Sequence, residues 1–128
     1  MQNIVQFVVI LTTHKRQTQA LRSVDSVLTQ SYKHWKLVVI NDSPEDNYDT
    51  FEKCIIGNEN IVYHRNTKNN GKNISVNHAT SILGQLSFSG YVVFLDDDDW
   101  LHPNCLESFA KAITTGNNPT WLVSNRTT

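Results

Sequence analysis

The sequence predicts an α/β fold of three layers, in which helices cover both faces of a mostly parallel sheet. Apolar runs that lack the alternation of a half-exposed strand recur along the chain, and such runs are typical of buried strands. Segments with helical spacing separate these runs, and strands that alternate with helices imply parallel crossover units. The length of 128 residues is that of one ordinary domain, so we predict a single domain over residues 1–128.

The predicted strands are rich in β-branched and aromatic residues, which fit a pleated surface. In chain order they are Ile4–Leu11, Trp35–Ile40, Ile61–His64, Tyr91–Leu95 and Trp121–Ser124. The run Tyr91–Leu95 is apolar without alternation, so we predict that it is a central strand covered on both faces.

The predicted helices place their apolar residues three and four positions apart. They are Gln17–Thr29, Asp46–Ile56, Asn73–Leu86 and a fourth helix that Pro103 opens and that runs to Gly116. Gly57 directly follows the second of these segments, as expected where a helix ends.

The composition argues against several classes of protein. A net charge of −1, from 11 basic and 12 acidic residues, gives no sign of a partner that is a nucleic acid or a membrane surface. We find no apolar segment long enough to span a membrane and no leader, so we expect a cytoplasmic protein that reaches the inner face of the membrane only through partners. Cys54 and Cys105 have apolar neighbours and no CxxC pairing, which predicts buried, reduced thiols.

Four consecutive carboxylates, Asp96–Asp99, follow the Tyr91–Leu95 strand. Two carboxylates about 4 Å apart repel by about 1 kcal/mol in water and about 4 kcal/mol near a protein surface, so the run needs positive charge nearby. In a continuing strand Asp96 and Asp98 would point to one side, which predicts that they bind Mg²⁺ or Mn²⁺. The alternative is an acidic turn before a helix, but a helix cap needs one acid rather than four.

Polar segments follow three of the predicted strands: Thr12–Arg16, Asn41–Ser43 and Asp96–Asp99. In parallel sheets ligands bind outside the carboxyl ends of the strands, so we expect these segments to converge on one crevice. There, Asp42 is predicted either to accept a hydrogen bond from a base or ribose, or to form an ordinary turn.

The basic residues near these strand ends suit phosphate groups. Arg16 and Lys72, with Lys15, are available for phosphate oxygens, although a lone loop lysine is usually only surface charge. His14 offers a flat ring to a base, or is a solvated loop histidine. The motifs GxxxxGK[ST] and GxGxxG are both missing, which argues against a P-loop or a classical dinucleotide site.

Taken together, the loop Thr12–Arg16 and the segments Ser26–Ser43, Asn70–Ala79 and Phe94–Trp100 resemble family 2 glycosyltransferases, which have the GT-A fold and a Rossmann-like nucleotide-binding half. The resemblance covers nearly the whole chain. It implies that Thr13, His14 and Asp42 hold the nucleotide base. It also implies that Asp96 and Asp98 of an Asp-x-Asp motif bind the ribose and a divalent metal.

The same resemblance extends the nucleotide-binding set. By this resemblance Asp97 is expected to share the ribose role, and Thr12, Arg16, Lys72 and Asn77 are expected to complete the set. Two motifs depart from the family pattern. His14 stands where the family loop has an aromatic residue, and Ser75-Val76-Asn77 lacks the family's arginine, for which Lys72 or Arg16 is expected to substitute.

The resemblance implies a metal-dependent inverting glycosyltransferase with a UDP-sugar as donor and a carbohydrate or glycan as acceptor. Family members continue into an acceptor-binding half that supplies the catalytic base, so that base is expected beyond Thr128. The 128 residues alone are expected to bind the donor without transferring sugar. The alternative is a non-catalytic module that binds nucleotide or metal. A phospho-acceptor domain of flavodoxin-like topology is a weaker third hypothesis, because its acids would follow the first strand.

Overall fold

The architecture is an α/β sandwich, seen in a computed structural model that describes residues 4–85 and 90–115. Within these residues the strands are β1 (Phe7–Thr13), β2 (Trp35–Asn41), β3 (Ile61–Arg65) and β4 (Tyr91–Asp96). The helices are α1 (Gln17–Leu28), α2 (Asp49–Ile55), α3 (Lys72–Gln85) and α4 (Cys105–Thr115).

All described strand pairs are parallel, in the order β3-β2-β1-β4. The chain therefore moves outward from β1 through β2 to β3, and then crosses back to place β4 on the other side of β1. The strand order reverses between β1 and β4, and this is the position at which open α/β sheets form a crevice.

Helices cover both faces of the sheet. Helices α1, α2 and α4 share one core with alternate residues of β1 and β2, including Phe7, Val9 and Leu37. On the other face, Ala79 and Leu83 of α3 pack against Val8 and Ile10 and their neighbours in β2. Because β1 and β2 are buried on both faces, apolar residues occupy both alternations of each strand, and the predicted three-layer parallel fold is confirmed.

The observed bounds differ from the predicted ones mainly at β1. That strand begins at Phe7 and not at Ile4, whose side chain is 58% exposed, and it continues through Thr13. Helix α1 ends one residue earlier than predicted, and α2 begins at Asp49. The predicted strand Trp121–Ser124 lies outside the described residues.

The prediction that Tyr91–Leu95 is a central strand is wrong for the part of the chain that the structure describes. There β4 pairs only with β1, at the edge of the sheet, while β1 and β2 are central. Val92 and Phe94 lie in register with the buried Val8 and Ile10, yet they are 42% and 62% exposed, since α3 packs over β1 and β2. A run of apolar residues therefore did not reveal how many neighbours the strand has.

The two cysteines differ in environment. Cys105 is buried at the start of α4 as predicted, but Cys54 is exposed on α2, which contradicts the prediction for that residue. Over residues 4–85 and 90–115, none of the helices has the length and hydropathy needed to cross a bilayer.

Candidate functional site

A cavity of about 480 Å³ opens at the carboxyl ends of β1, β2 and β4, where the strand order reverses. Thr13 of β1 lies beside Asn41 of β2, and Thr12 lies beside Asp96 of β4. The residues that line the cavity are Thr12, Thr13, His14, Arg16, Asp42, Asn69, Gly71, Lys72, Ser75, Asp96, Asp97 and Asp98. The three polar strand ends therefore converge, as the order of elements predicts.

The buried side chain of Tyr48, which is 1% exposed, supports the loop after β1. The Tyr48 hydroxyl accepts a hydrogen bond from the Arg16 backbone N–H at 3.0 Å and lies 2.9 Å from Thr13 Oγ1. Lys15 has a φ of 57°, in the left-handed region, and its N–H donates to Ser43 Oγ at 2.6 Å. The loop conformation is thus fixed by side chains from other segments.

Asp42 is buried and accepts three hydrogen bonds. Its Oδ1 accepts from Asn66 Nδ2 at 2.8 Å and from the Asn70 N–H at 2.7 Å, and its Oδ2 accepts from the Gly71 N–H at 2.8 Å. Burial raises the pKa of the carboxyl, but these hydrogen bonds and the nearby His14 together outweigh it, so the pKa of Asp42 lies below its ordinary value. Asp42 therefore closes the loop before α3 as an ionised carboxylate.

The N-terminal turn of α3 forms one wall of the cavity. Gly71, with a φ of 88°, precedes the helix, and a helix N-terminus with its unpaired N–H groups favours anions. Lys72 is the first residue of α3, and its ammonium group forms an ion pair with Asp96 Oδ1. This wall therefore presents positive charge to the cavity.

The four carboxylates form a turn rather than a continued strand, because β4 ends at Asp96 and the Asp99 N–H donates to the Asp96 carbonyl at 3.0 Å. We call Asp96–Asp99 the carboxylate turn. The prediction that Asp96 and Asp98 lie close together because they alternate along a strand is therefore wrong in its reason. The turn, and not a strand, brings their carboxylates together. One carboxylate oxygen from each of Asp96, Asp98 and Asp99 lies within 4.8 Å of the others.

This set of donors fits a hard divalent cation. Carboxylate oxygens are the ligands that Mg²⁺ and Mn²⁺ take, with water or phosphate oxygens in the remaining positions. Asp96, Asp98 and Asp99 would hold such an ion. The sequence predicted the first two, and Asp99 is added by the turn.

Asp97 points away from this cluster, towards the loop after β1. Its Oδ2 accepts from the His14 N–H at 3.1 Å, and its Oδ1 lies 3.4 Å from Arg16 Nη1, which also lies 3.3 Å from Asp98 Oδ2. His14 Nε2 lies 3.2 Å from Asn69 Nδ2 across the mouth of the cavity. These contacts connect the loop after β1 to the carboxylate turn and to the loop before α3.

Eight of the predicted nucleotide-binding residues line the cavity, together with the predicted metal ligands: Thr12, Thr13, His14, Arg16, Asp42, Lys72, Asp96, Asp97 and Asp98. Asn77 is the exception. It is exposed and does not line the cavity, whereas Ser75, two positions earlier, does. Residues two apart on a helix point in different directions, so Ser75 faces the cavity while Asn77 does not, and a nucleotide contact by Asn77 stays a prediction.

Sequence reasoning missed Asn69, Gly71 and Ser75 as lining residues and Tyr48 as the support of the loop after β1. The Asn-rich composition of residues 66–73 was the available signal for the first two. No local pattern marks Tyr48, because its partners lie 32 and 35 positions away in the chain.

Residues 8–124 match the sequence profile of the family described as Glycosyl transferase family 2. Over 101 residues the chain is 35% identical to the poly(ribitol-phosphate) beta-N-acetylglucosaminyltransferase TarP of Staphylococcus aureus (strain N315). That alignment covers 77% of this chain and 30% of the relative, so the chain spans about a third of the relative's length.

Solved glycosyltransferase structures share the fold. S. aureus TarS 1-349, in complex with UDP-GlcNAc, superposes with a TM-score of 0.73 at 21% identity, over 87% of this chain and 32% of that one. The mannosyltransferase PcManGT from Pyrobaculum calidifontis, in complex with GDP-Man and Mn²⁺, superposes with a TM-score of 0.66 at 18% identity, over 84% and 31%. The profile match, the relative and the shared GT-A architecture agree with one another, and the chain belongs to glycosyltransferase family 2.

Proposed function

We propose that this chain binds the nucleotide-sugar donor of a metal-dependent, inverting glycosyltransferase, and that the donor is a UDP-sugar. The observation that carries the proposal is the composition of the cavity. Asp96 and Asp98, two of the three clustered carboxylates, lie in the same crevice as Arg16, Lys72 and the N-terminal turn of α3, at the reversal of strand order. A nucleoside diphosphate with a divalent cation matches both signs of charge.

The phosphate end is assigned to the side with Arg16 and Lys72. Arg16 is half exposed and Lys72 is 61% exposed, so both heads can move towards phosphate oxygens without a large packing cost. A divalent cation bound by Asp96, Asp98 and Asp99 would offset charge on the departing diphosphate. In the same site, Arg16 and Lys72 would bind and orient the phosphates.

The base end is assigned to the other side of the cavity, between His14 and Asp42. Thr12, Thr13 and His14 offer backbone groups and a ring, and Asp42 Oδ2 accepts one hydrogen bond where Oδ1 accepts two. Asp97 lies between the two ends and suits a ribose hydroxyl. The loop contacts of Tyr48 and Ser43 would keep these groups in place without touching the ligand.

The neighbours support the choice of donor and metal. TarS was crystallised with UDP-GlcNAc, and TarP is named as an N-acetylglucosaminyltransferase. The solved structure of PcManGT is a complex with GDP-Man and Mn²⁺, which makes GDP the competing nucleotide. UDP-GlcNAc is therefore the first donor to test.

Calorimetric titration of UDP, GDP and uridine, each with Mn²⁺ and with a chelator, tests the proposal. We expect UDP to bind more tightly than GDP. We also expect Mn²⁺ to raise the affinity for UDP but not the affinity for uridine. Equal UDP affinity with Mn²⁺ and with chelator would contradict a role for the metal in donor binding. A chain that binds none of the three ligands would remove the nucleotide as well.

A second candidate is a module that binds nucleotide and metal without catalysing transfer. It is favoured by one observation: each acid that lines the cavity in the described part of the chain already has a partner. Asp42 accepts from three N–H groups, Asp96 pairs with Lys72, and Asp97 and Asp98 pair with Arg16. A turnover assay with a donor and mixed glycan acceptors separates the two candidates.

A further inference from the structure

Helix α1 carries three polar side chains on the face that it buries against the chain following β4. They are Ser23, Ser26 and Gln30, the last just beyond the end of the helix, and their spacing of three and four places them in one row. We call them the α1 polar stripe. Ser23 and Gln30 are fully buried, which is unusual for polar residues in a helix that otherwise buries apolar ones.

Each member of the stripe binds the backbone of the segment from the carboxylate turn to α4. The Ser23 hydroxyl donates to the Asp99 carbonyl and lies 3.3 Å from the Asp96 carbonyl. Ser26 Oγ accepts from the Leu101 N–H at 3.0 Å. The stripe thus touches the carboxylate turn at both of its ends and the residue that follows Trp100.

Gln30 holds the far end of the same segment. Its Nε2 donates to the His102 carbonyl at 2.7 Å, and its Oε1 accepts from the Leu106 N–H at 3.0 Å. Both ends of the buried amide are therefore satisfied by backbone between the carboxylate turn and the first turn of α4. Leaving either group unpaired in the interior would cost far more than the hydrogen bond itself contributes.

The carboxylate turn needs such support because its side chains carry like charges. Three carboxylates that each place one oxygen within 4.8 Å of the others repel, and among the described residues no strand pairs with the segment between β4 and α4. Backbone that is free to relax would let these carboxylates spread apart. The α1 polar stripe opposes that relaxation, because Ser23 holds the Asp99 carbonyl and Ser26 holds the Leu101 N–H against a rigid helix.

We propose that Ser23, Ser26 and Gln30 are positioning residues, which hold the carboxylate turn in the spacing needed to bind a divalent cation. This rests on the proposed function for the identity of the ligand. It adds that metal binding depends on a helix whose side chains do not line the cavity. Nucleotide contacts on the far side of the cavity should not depend on the stripe.

The test compares Ser23→Ala and Gln30→Glu with Val27→Ala. Glu keeps the acceptor for the Leu106 N–H but loses the donor to the His102 carbonyl. Val27→Ala removes apolar packing from the same helix without touching the stripe, so it controls for lost stability. The first readout is the ratio of UDP affinities measured with Mn²⁺ and with a chelator. The second is hydrogen exchange at the amides of Asp99, Leu101 and Leu106.

We expect each stripe variant to lower the affinity ratio by about fivefold, the change that one lost hydrogen bond gives, while uridine affinity stays at the wild-type value. Exchange should quicken at Asp99 in Ser23→Ala and at Leu106 in Gln30→Glu. Val27→Ala should leave both readouts unchanged at a similar loss in Tm. An unchanged ratio in the stripe variants, or an equal drop in Val27→Ala, would overturn the inference.

The exchange measurement separates this inference from the proposed function. If Mn²⁺ has no effect on UDP binding by the wild-type chain, the metal part of the proposed function fails. Selective loss of protection at Asp99 in Ser23→Ala would then still support the positioning of the turn. Equal protection in Ser23→Ala and Val27→Ala would overturn it.

Discussion

Asp98 has a side chain that is 50% exposed and lies 3.3 Å from Arg16 Nη1, within the cluster formed with Asp96 and Asp99. Its removal relieves repulsion of about 1 kcal/mol per neighbouring charge at about 4 Å in water. The same change loses an exposed ion pair worth about 0–1 kcal/mol. The two effects on the free energy of unfolding nearly cancel. A bound cation, by contrast, would lose one of its ligands.

We therefore expect Asp98→Ala to abolish the effect of Mn²⁺ on UDP affinity while the Tm of the metal-free protein stays the same or rises slightly. Glu59→Ala, which removes an exposed acid far from the cavity, is the matched control and should retain the Mn²⁺ effect. Differential scanning calorimetry in chelator and titration of UDP give the two readouts. A Tm several degrees lower for Asp98→Ala would instead identify Asp98 as a structural cap.

Lys72 and Lys68 allow a second comparison between residues, because both are exposed lysines near the loop before α3 and only Lys72 lines the cavity. We expect Lys72→Ala to lower the affinity for UDP by about three- to tenfold, the effect of losing one partly screened charge contact. The affinity for uridine should not change. Lys68→Ala should change neither affinity. A loss of uridine affinity in Lys72→Ala would show that the base and phosphate ends of the crevice are exchanged.

The cavity residues that the sequence could predict are those at strand ends, such as Thr13, Asp42 and Asp96. A buried strand that stops at a polar residue delivers that residue to the sheet edge, whatever the rest of the chain does. Support residues such as Tyr48 and Gln30 could not be predicted in this way. Their partners are backbone groups of distant segments, and no spacing within the chain encodes such contacts.

At the scale of the elements, the junction before α3 depends on one glycine. Gly71 has a φ of 88°, a conformation that L side chains rarely adopt, and its N–H donates to Asp42 Oδ2 at 2.8 Å. Open space surrounds the position where a Cβ would lie, so strain in the backbone and not a clash decides the effect of a substitution.

We expect Gly71→Ala to lower the free energy of unfolding by about 1 kcal/mol or more. The same substitution should lower the affinity for UDP, because it shifts the N-terminus of α3. Gly84→Ala, within α3 itself, is the matched control. Its backbone lies outside the left-handed region, so alanine should raise stability there by up to about 1 kcal/mol. Chemical denaturation measures both changes. Equal effects of the two substitutions would contradict the role of the left-handed conformation.

His64 of β3 and His78 of α3 form a ring contact between the two elements. The rings of His64 and His78 lie 4.3 Å apart at 77°, and burial, with a smaller contribution from the charge of His78, lowers the pKa of His64 below its ordinary value of 6.5. A lowered pKa means that the unfolded chain binds the proton more readily than the folded one. The contribution of His64 to stability is therefore complete above about pH 6.5, and it is lost as the pH drops towards the folded-state pKa.

We expect the Tm to fall between pH 7.5 and pH 5.5, and to fall less in His64→Gln, in which the titrating group is gone. His34→Gln, which replaces an exposed histidine, should retain the wild-type pH dependence. Thermal melts at several pH values give the measurement. The same slope in wild type and His64→Gln would place the pH sensitivity elsewhere in the chain.

The sequence predicted the type of each described element because strand runs and helical spacing differ clearly in period. It did not predict that β4 is an edge strand in the described sheet, since Val92 and Phe94 are as apolar as the buried Val8 and Ile10 beside them. It also did not predict that β4 ends at Asp96. The hydrogen bond that turns the chain there joins backbone atoms, and a run of four identical residues gives no local signal of where a strand stops.

At the scale of the whole molecule, the chain brings four acids and two basic residues together at one cavity while its net charge is only −1. The reversal of strand order between β1 and β4 opens the crevice, and the same reversal places the carboxylate turn opposite Arg16 and Lys72. The order of strands and helices in the sequence was enough to predict this convergence. The depth of the cavity and the partners of each acid required the three-dimensional structure.

The partners of the cavity acids also limit the chemistry that the described residues can accomplish together. Sugar transfer to an acceptor needs a base within hydrogen-bonding reach of the acceptor hydroxyl, and such a base contributes about 10²–10⁴ in rate. The acids that line the cavity in the described ranges are Asp42, Asp96, Asp97 and Asp98, and each is engaged by a cation or by N–H donors. Glu107 lies on α4, outside the residues that line this cavity.

We therefore expect the purified 128-residue chain to bind UDP-GlcNAc with Mn²⁺ and to transfer sugar to no acceptor at an appreciable rate, with at most slow hydrolysis of the donor by water. Release of UDP, followed with and without a mixed pool of glycan acceptors, measures both reactions. The Asp98→Ala chain is the control, since it should lose the slow hydrolysis along with the effect of Mn²⁺. Rapid acceptor-dependent release of UDP by the wild-type chain would contradict the expectation. One of the four engaged acids, or an acid from a second copy of the chain, would then have to act as the base.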